Sequence, residues 1–197
     1  MEKISLKSKL LPFILTFLVI ILDQLTKALV VKYIPLYQIG ASFLGGFFRI
    51  VHVCNTGVAF SVGAGWSDTI RHLLFLLLPL VVIVLVIVVY FRNKEFTALQ
   101  RWSITGIIGG GLGNLIDRFF RAEGVVDFLD FQWFGFTKSP IGLFRMTRWP
   151  TFNVADSAVV ICGILLIISF IVSISKESKD NKAKTEEDSE KAEKTEN

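Results

Sequence analysis

Four stretches of this chain are long apolar runs. Leu73 to Phe91 and Ala158 to Ile174 contain no charged residue. Leu10 to Val31 is a third run, interrupted by Asp23, Gln24, Thr26 and Lys27. Trp102 to Ile116 is the fourth and weakest, because it is rich in glycine. A helix needs roughly 20 apolar residues to cross a bilayer. The pattern therefore predicts four transmembrane helices, at 10–31, 72–91, 102–120 and 154–174. The first run is longer than a signal-peptide core, carries charges and precedes no small-residue cleavage site, so it reads as a retained helix.

Two longer links remain, 32–71 and 121–153. In the first, Phe48, Ile50 and Val53 alternate ahead of Asn55-Thr56-Gly57, which reads as a short strand ending in a turn. The second is rich in aromatics, as suits a membrane–water interface. Lys3, Lys7 and Lys9, then Arg92, Lys94 and Arg101, then a Lys-rich tail fall on one side of a four-helix chain. The positive-inside rule makes that side cytoplasmic and puts both termini there. Arg118, Arg121, Lys138, Arg145 and Arg148 dilute the asymmetry. Residues 176–197 carry almost no apolar side chain and are expected to be a disordered cytoplasmic tail beyond a membrane domain of residues 1–175. Gly106, Gly109, Gly110 and Gly113 make a face that lets neighbouring helices approach closely.

Composition adds little beyond this. Apolar residues make up 52% of the 197, too many for an ordinary soluble domain of this size. The net charge is +4 with no basic face, which excludes nucleic acid as an evident partner. Cys54 and Cys162 form no metal-ligand spacing, and neither a disulfide nor a metal is expected. No HExxH, GxSxG or phosphate-loop pattern occurs.

The informative residues are polar ones in apolar surroundings. A charge at the centre of a spanning helix costs about 2.5–3.5 kcal/mol, so each invites a functional reading. Asp23 and Lys27 lie one turn apart near the end of the first helix. Asn114, Asp117 and Arg118 lie near the end of the third, with Asp127 and Asp130 shortly after. Asn153 and Asp156 open the fourth. The first and third helices run outward and the fourth runs inward, so all these sets collect at the outer leaflet. Lys27 with Asp23, and Arg118 with Asp117, can equally be structural ion pairs. Asp127 and Asp156 lack a basic neighbour in sequence. Brought together, they would share one proton, the arrangement that activates water for peptide hydrolysis. A proton-coupled transporter could use the same carboxylates as a relay, but it would spread polar residues across the membrane depth. A structural scaffold leaves the clustered carboxylates unexplained.

Five blocks carry a resemblance: Asp23-Gln24-Leu25-Thr26-Lys27, Asn55-Thr56-Gly57-Val58-Ala59-Phe60-Ser61, Gly113-Asn114-Leu115-Ile116-Asp117-Arg118, Val125-Val126-Asp127-Phe128, and Phe152-Asn153-Val154-Ala155-Asp156-Ser157. In this order they resemble the signature blocks of bacterial lipoprotein signal peptidase, over residues 10–175. The resemblance implies a monomeric aspartic endopeptidase of the bacterial cytoplasmic membrane, working in contact with membrane lipid. It implies cleavage of diacylglyceryl-modified prolipoproteins just before the lipidated cysteine. Asp127 and Asp156 match the catalytic pair. Asp23, Lys27, Asn55, Asn114, Arg118, Asp130 and Asn153 match supporting positions. The family uses neither metal nor organic cofactor. Its fold is all-α, with four transmembrane helices and a small strand-rich element and short helix on the outer side. The segment from Phe131 to Arg148 is long for the family, and the charged tail is additional.

Overall fold

A computed structural model describes residues 5–56, 68–132 and 148–195. The elements run α1 (Leu6–Leu10), α2 (Phe13–Tyr33), β1 (Ile39–Phe43), β2 (Phe48–Asn55), α3 (Asp68–Arg92), α4 (Ala98–Phe120), β3 (Val125–Phe131) and α5 (Val154–Thr195). The chain is mostly helical, with one small sheet.

Among the described residues, three helices are long and apolar enough to cross a membrane: Leu6–Tyr33, Leu73–Arg92 and Val154–Ser178. The fourth expected span, α4, does not reach that level among the described residues. Its five glycines and its polar side chains lower its hydropathy. It sits instead against α2, α3 and α5. Most of its surface is buried, including Thr105, Ile108, Gly109 and Gly113. Its start is set by a capping box. Thr97 Oγ1 accepts from the Gln100 amide at 3.2 Å, and Gln100 Oε1 accepts from the Thr97 amide at 3.0 Å.

Glycine lets α4 enter the bundle. A Cβ on Gly110 would collide with the carbonyl oxygen of Ala155, and one on Gly109 would sit 3.0 Å from Thr16 Cα. These are the contacts of α4 with α5 and α2. Thr16 Oγ1 adds a 2.7 Å bond to the Thr105 carbonyl. Gly110→Ala should therefore destabilise the protein by about 1–3 kcal/mol, the usual cost of overpacking. Gly163→Ala, with nothing within 4 Å of the added carbon, should be nearly neutral. Thermal unfolding of the two variants in detergent checks the contrast; equal midpoints would contradict it.

The strands form an antiparallel sheet in the order β1-β2-β3. One strand was expected around residues 48–53, and β2 is that strand. β3 lies where only a loop was expected. Its burial on both faces removes the polar alternation that marks a half-exposed strand. The short helical feature beside the described sheet is a 3-10 turn, Leu44–Gly46. Val126 and Phe128 pack with Val30, which fastens β3 to the end of α2. The α5 backbone stays helical to Thr195, well beyond Ile174. Glu187 with Lys191, and Glu190 with Lys194, stand at the i, i+4 spacing that favours a helix.

Candidate active site

Asp127 is the third residue of β3 and Asp156 lies in the first turn of α5. Both line a cavity of about 700 Å³ whose remaining wall is largely aromatic and aliphatic: Phe47, Phe131, Trp149, Phe152, Val160 and Ile161. Asn153 bonds to both carboxylates. Its Nδ2 donates to Asp127 Oδ1 at 2.7 Å, and its backbone N–H donates to Asp156 Oδ2 at 3.1 Å. Asn153 Oδ1 in turn accepts from the Asp156 amide at 2.9 Å. That reciprocal pair caps α5 and fixes where Asp156 stands.

Each carboxylate has a second amide. Asn55 Nδ2 donates to Asp127 Oδ2 at 3.1 Å, and Asn114 Nδ2 donates to Asp156 Oδ1 at 2.7 Å. The orientation of Asn114 is set by its oxygen, which accepts from Lys27 Nζ at 2.9 Å and Asn153 Nδ2 at 3.0 Å. Arg118 is half-buried, and its charge acts on Asp156 and Asp127. Burial, reinforced by the Asp156 charge, pushes Asp127 up to about 6, against the opposing pull of the Asn55 and Asn153 hydrogen bonds.

Beneath the pair is a buried ionic cluster. Lys27 Nζ lies 2.8 Å from Asp23 Oδ2 and 2.9 Å from Asp117 Oδ2, and all three side chains are fully buried. Asp23 Oδ1 accepts from the Ala155 amide at 3.0 Å, and Asp117 Oδ2 accepts from the Val126 amide at 3.1 Å. The cluster thereby ties α2 and α4 to the starts of β3 and α5.

Of the residues expected to form the site, the structure brings Asp127, Asp156, Asn55, Asn114, Arg118, Asn153, Lys27 and Asp23 into one connected group. Asp130 stands apart. It binds Arg49 and Arg148, with Arg49 Nη2 at 2.8 Å from Oδ2 and Arg148 Nε at 2.7 Å from Oδ1. Asp117 pairs with Arg121 at 3.0 Å and with Lys27, not with Arg118 as adjacency suggested. Gln24 was not singled out either; its Nε2 donates to the Gly113 carbonyl at 3.0 Å and lies 3.2 Å from Asp23 Oδ2. Its place beside Asp23 in the first block was the available signal.

The family described as signal peptidase (SPase) II matches residues 15–172. The chain belongs to that family. It is 47% identical over 165 residues to the lipoprotein signal peptidase of Treponema pallidum, covering 84% of this chain and 85% of that one. It is 46% identical over 173 residues to the lipoprotein signal peptidase of Treponema denticola, covering 88% and 95%. A bacterial membrane enzyme solved by the in meso method at 2.3 Å shares the fold, with a TM-score of 0.68 at 24% identity over 89% of this chain and 94% of that one. Membership of the signal peptidase II family makes the chain a bacterial multi-pass membrane peptidase, a hydrolase. The transporter reading has no support.

Proposed function

We propose that this signal peptidase II family member is an aspartic endopeptidase that removes the signal peptide from diacylglyceryl-modified prolipoproteins just before the lipidated cysteine. The observation that carries this reading is Asn153 holding Asp127 and Asp156 at one cavity. Asp127, the member pushed upward, carries the shared proton. Asp156 takes a proton from water, whose oxygen attacks the scissile carbonyl carbon. Asp127 gives its proton to the carbonyl oxygen. In collapse, the proton on Asp156 passes to the leaving nitrogen, the C–N bond breaks and Asp127 regains its proton. The signal peptide leaves with a carboxyl group and the cysteine with a free amine. No metal is required by these steps.

The apolar cavity wall suits acyl chains and an apolar signal segment. The polar groups stand in the middle and C-terminal half of α2, at the C-terminal end of α4 and at the N-terminal end of α5. In the reading proposed here α4 is a fourth span, both termini are cytoplasmic, the site lies near the outer leaflet and the monomer works in contact with membrane lipid. The test is incubation of purified protein with a lipidated and an unlipidated prolipoprotein. Cleavage of the lipidated form alone supports the reading; cleavage of neither ends it.

The pH profile follows from Asp127. The protonated form is the working one, so kcat/KM, which reports the free enzyme, should fall as pH rises through about 6. Bound substrate excludes water and disfavours the carboxylate further, so the corresponding limb of kcat should lie at higher pH. Initial rates between pH 5 and 9 check this. A kcat/KM that is flat across that range would exclude Asp127 as proton carrier.

A further inference from the structure

A second cavity, of about 480 Å³, adjoins the first. Trp149, Pro150 and Thr151 line both, so this three-residue segment is a shared wall. The two differ in character. The first reaches Val160 and Ile161 on the apolar part of α5, whereas the second, among the described residues, has no lining residue from any spanning helix. It is built on the sheet, where register pairs Arg49 with Asp130, and Arg148 closes it from the returning chain. Two guanidinium groups there face one carboxylate, leaving one positive charge in excess. Arg148 is committed: besides Asp130, its Nη1 and Nη2 donate to the Gly46 and Phe47 carbonyls at 3.0 and 3.4 Å. Arg49 spends Nε and Nη2 on Asp130, and its Nη1 has no partner among the described residues. Its side chain is 27% exposed.

We infer that this cleft receives the polypeptide that follows the lipidated cysteine and favours an acidic side chain there, read by Arg49. The inference rests on the peptidase reading above. A prolipoprotein is apolar before the scissile bond and more polar after it, so the apolar cavity takes the first part and the adjoining cleft, which is less apolar and carries Arg49, Asp130 and Arg148, takes the second. A volume of this size falls in the range of about 300–1,000 Å³ typical of ligand sites.

The experiment uses lipidated peptide substrates that differ only at the second to fourth positions counted from the cysteine, carrying Asp, Ser or Lys. The full-length enzyme should show kcat/KM in the order Asp, Ser, Lys, with Asp over Lys by about fivefold, the scale of a partly exposed ion pair. The ratio should shrink at high salt. Arg49→Gln should bring it close to one. Gln38→Glu, an exposed change on the cleft rim, should lower it independently if Arg49→Gln does not fold. The ratio is internal to each enzyme, so a general loss of rate does not affect it. A wild-type ratio near one, or a ratio unmoved by either variant, overturns the subsite and leaves the peptidase reading intact. Failure to cleave any lipidated substrate overturns the peptidase reading instead.

Discussion

Asp127→Asn and Asp156→Asn should each lower kcat on a lipidated prolipoprotein by about 10²–10⁴-fold, the range for removal of a general acid or base. Asn keeps the size and polarity of Asp but can neither ionise nor pass on a proton. If the two carboxylates share one proton, either substitution removes the chemistry. The double variant should then be little worse than either single one, because residues that act as a unit are strongly non-additive. Substrate affinity should largely persist, since the cavity wall that would hold the acyl chains and signal segment is aromatic and aliphatic. Turnover by the purified variants, with helix content followed by circular dichroism, is the measurement. A folded single variant with near-normal turnover would rule out the aspartic mechanism.

Lys27→Met should produce the largest loss of stability. The substitution leaves Asp23 fully buried without its cation, and Asp117 with Arg121 alone. Removing one partner of a buried ion pair costs about 3–5 kcal/mol. The triple change Lys27→Met, Asp23→Asn, Asp117→Asn should recover much of that, because no buried charge is then uncompensated. Activity should not recover in parallel. Without Lys27 Nζ, Asn114 loses a donor that fixes its amide orientation, and with it the directed bond to Asp156. Unfolding midpoints and cleavage rates for the two variants separate these effects. A Lys27→Met protein with an unchanged midpoint would sink the argument.

The constellation around Asp127 and Asp156 was legible because motif residues shared one depth in a helical reading. What stayed hidden follows from geometry. Arg118 stood next to Asp117 in sequence, but successive helical residues diverge, and the partner is Arg121 four residues on. Asp130 looked like a companion of Asp127. Three residues apart on a strand is an odd offset, which sends the two side chains to opposite faces. Recognising β3 would have separated them, yet β3 is buried on both faces and shows no alternation. The fourth span was expected from the glycine-rich apolar run Trp102 to Ile116, and the same glycines that let α4 pack so closely reduce its hydropathy. Arg49 and Arg148 gave no sign of meeting, because their encounter at Asp130 depends on strand register.

The way the chain leaves and re-enters the sheet has a consequence for how this enzyme can diverge. Gln132 bridges Arg148, and Leu129 bridges Phe152, whose carbonyl accepts from the amides of both Phe128 and Leu129 at 3.0 and 2.8 Å. The excursion between 132 and 148 thus departs and returns through a stitched base. Asp127 lies on one side of that base and Asn153 and Asp156 on the other. Length and sequence inside the excursion are therefore uncoupled from the spacing of the two carboxylates. Residues 133–147 can therefore change in length or sequence without re-spacing Asp127 and Asp156.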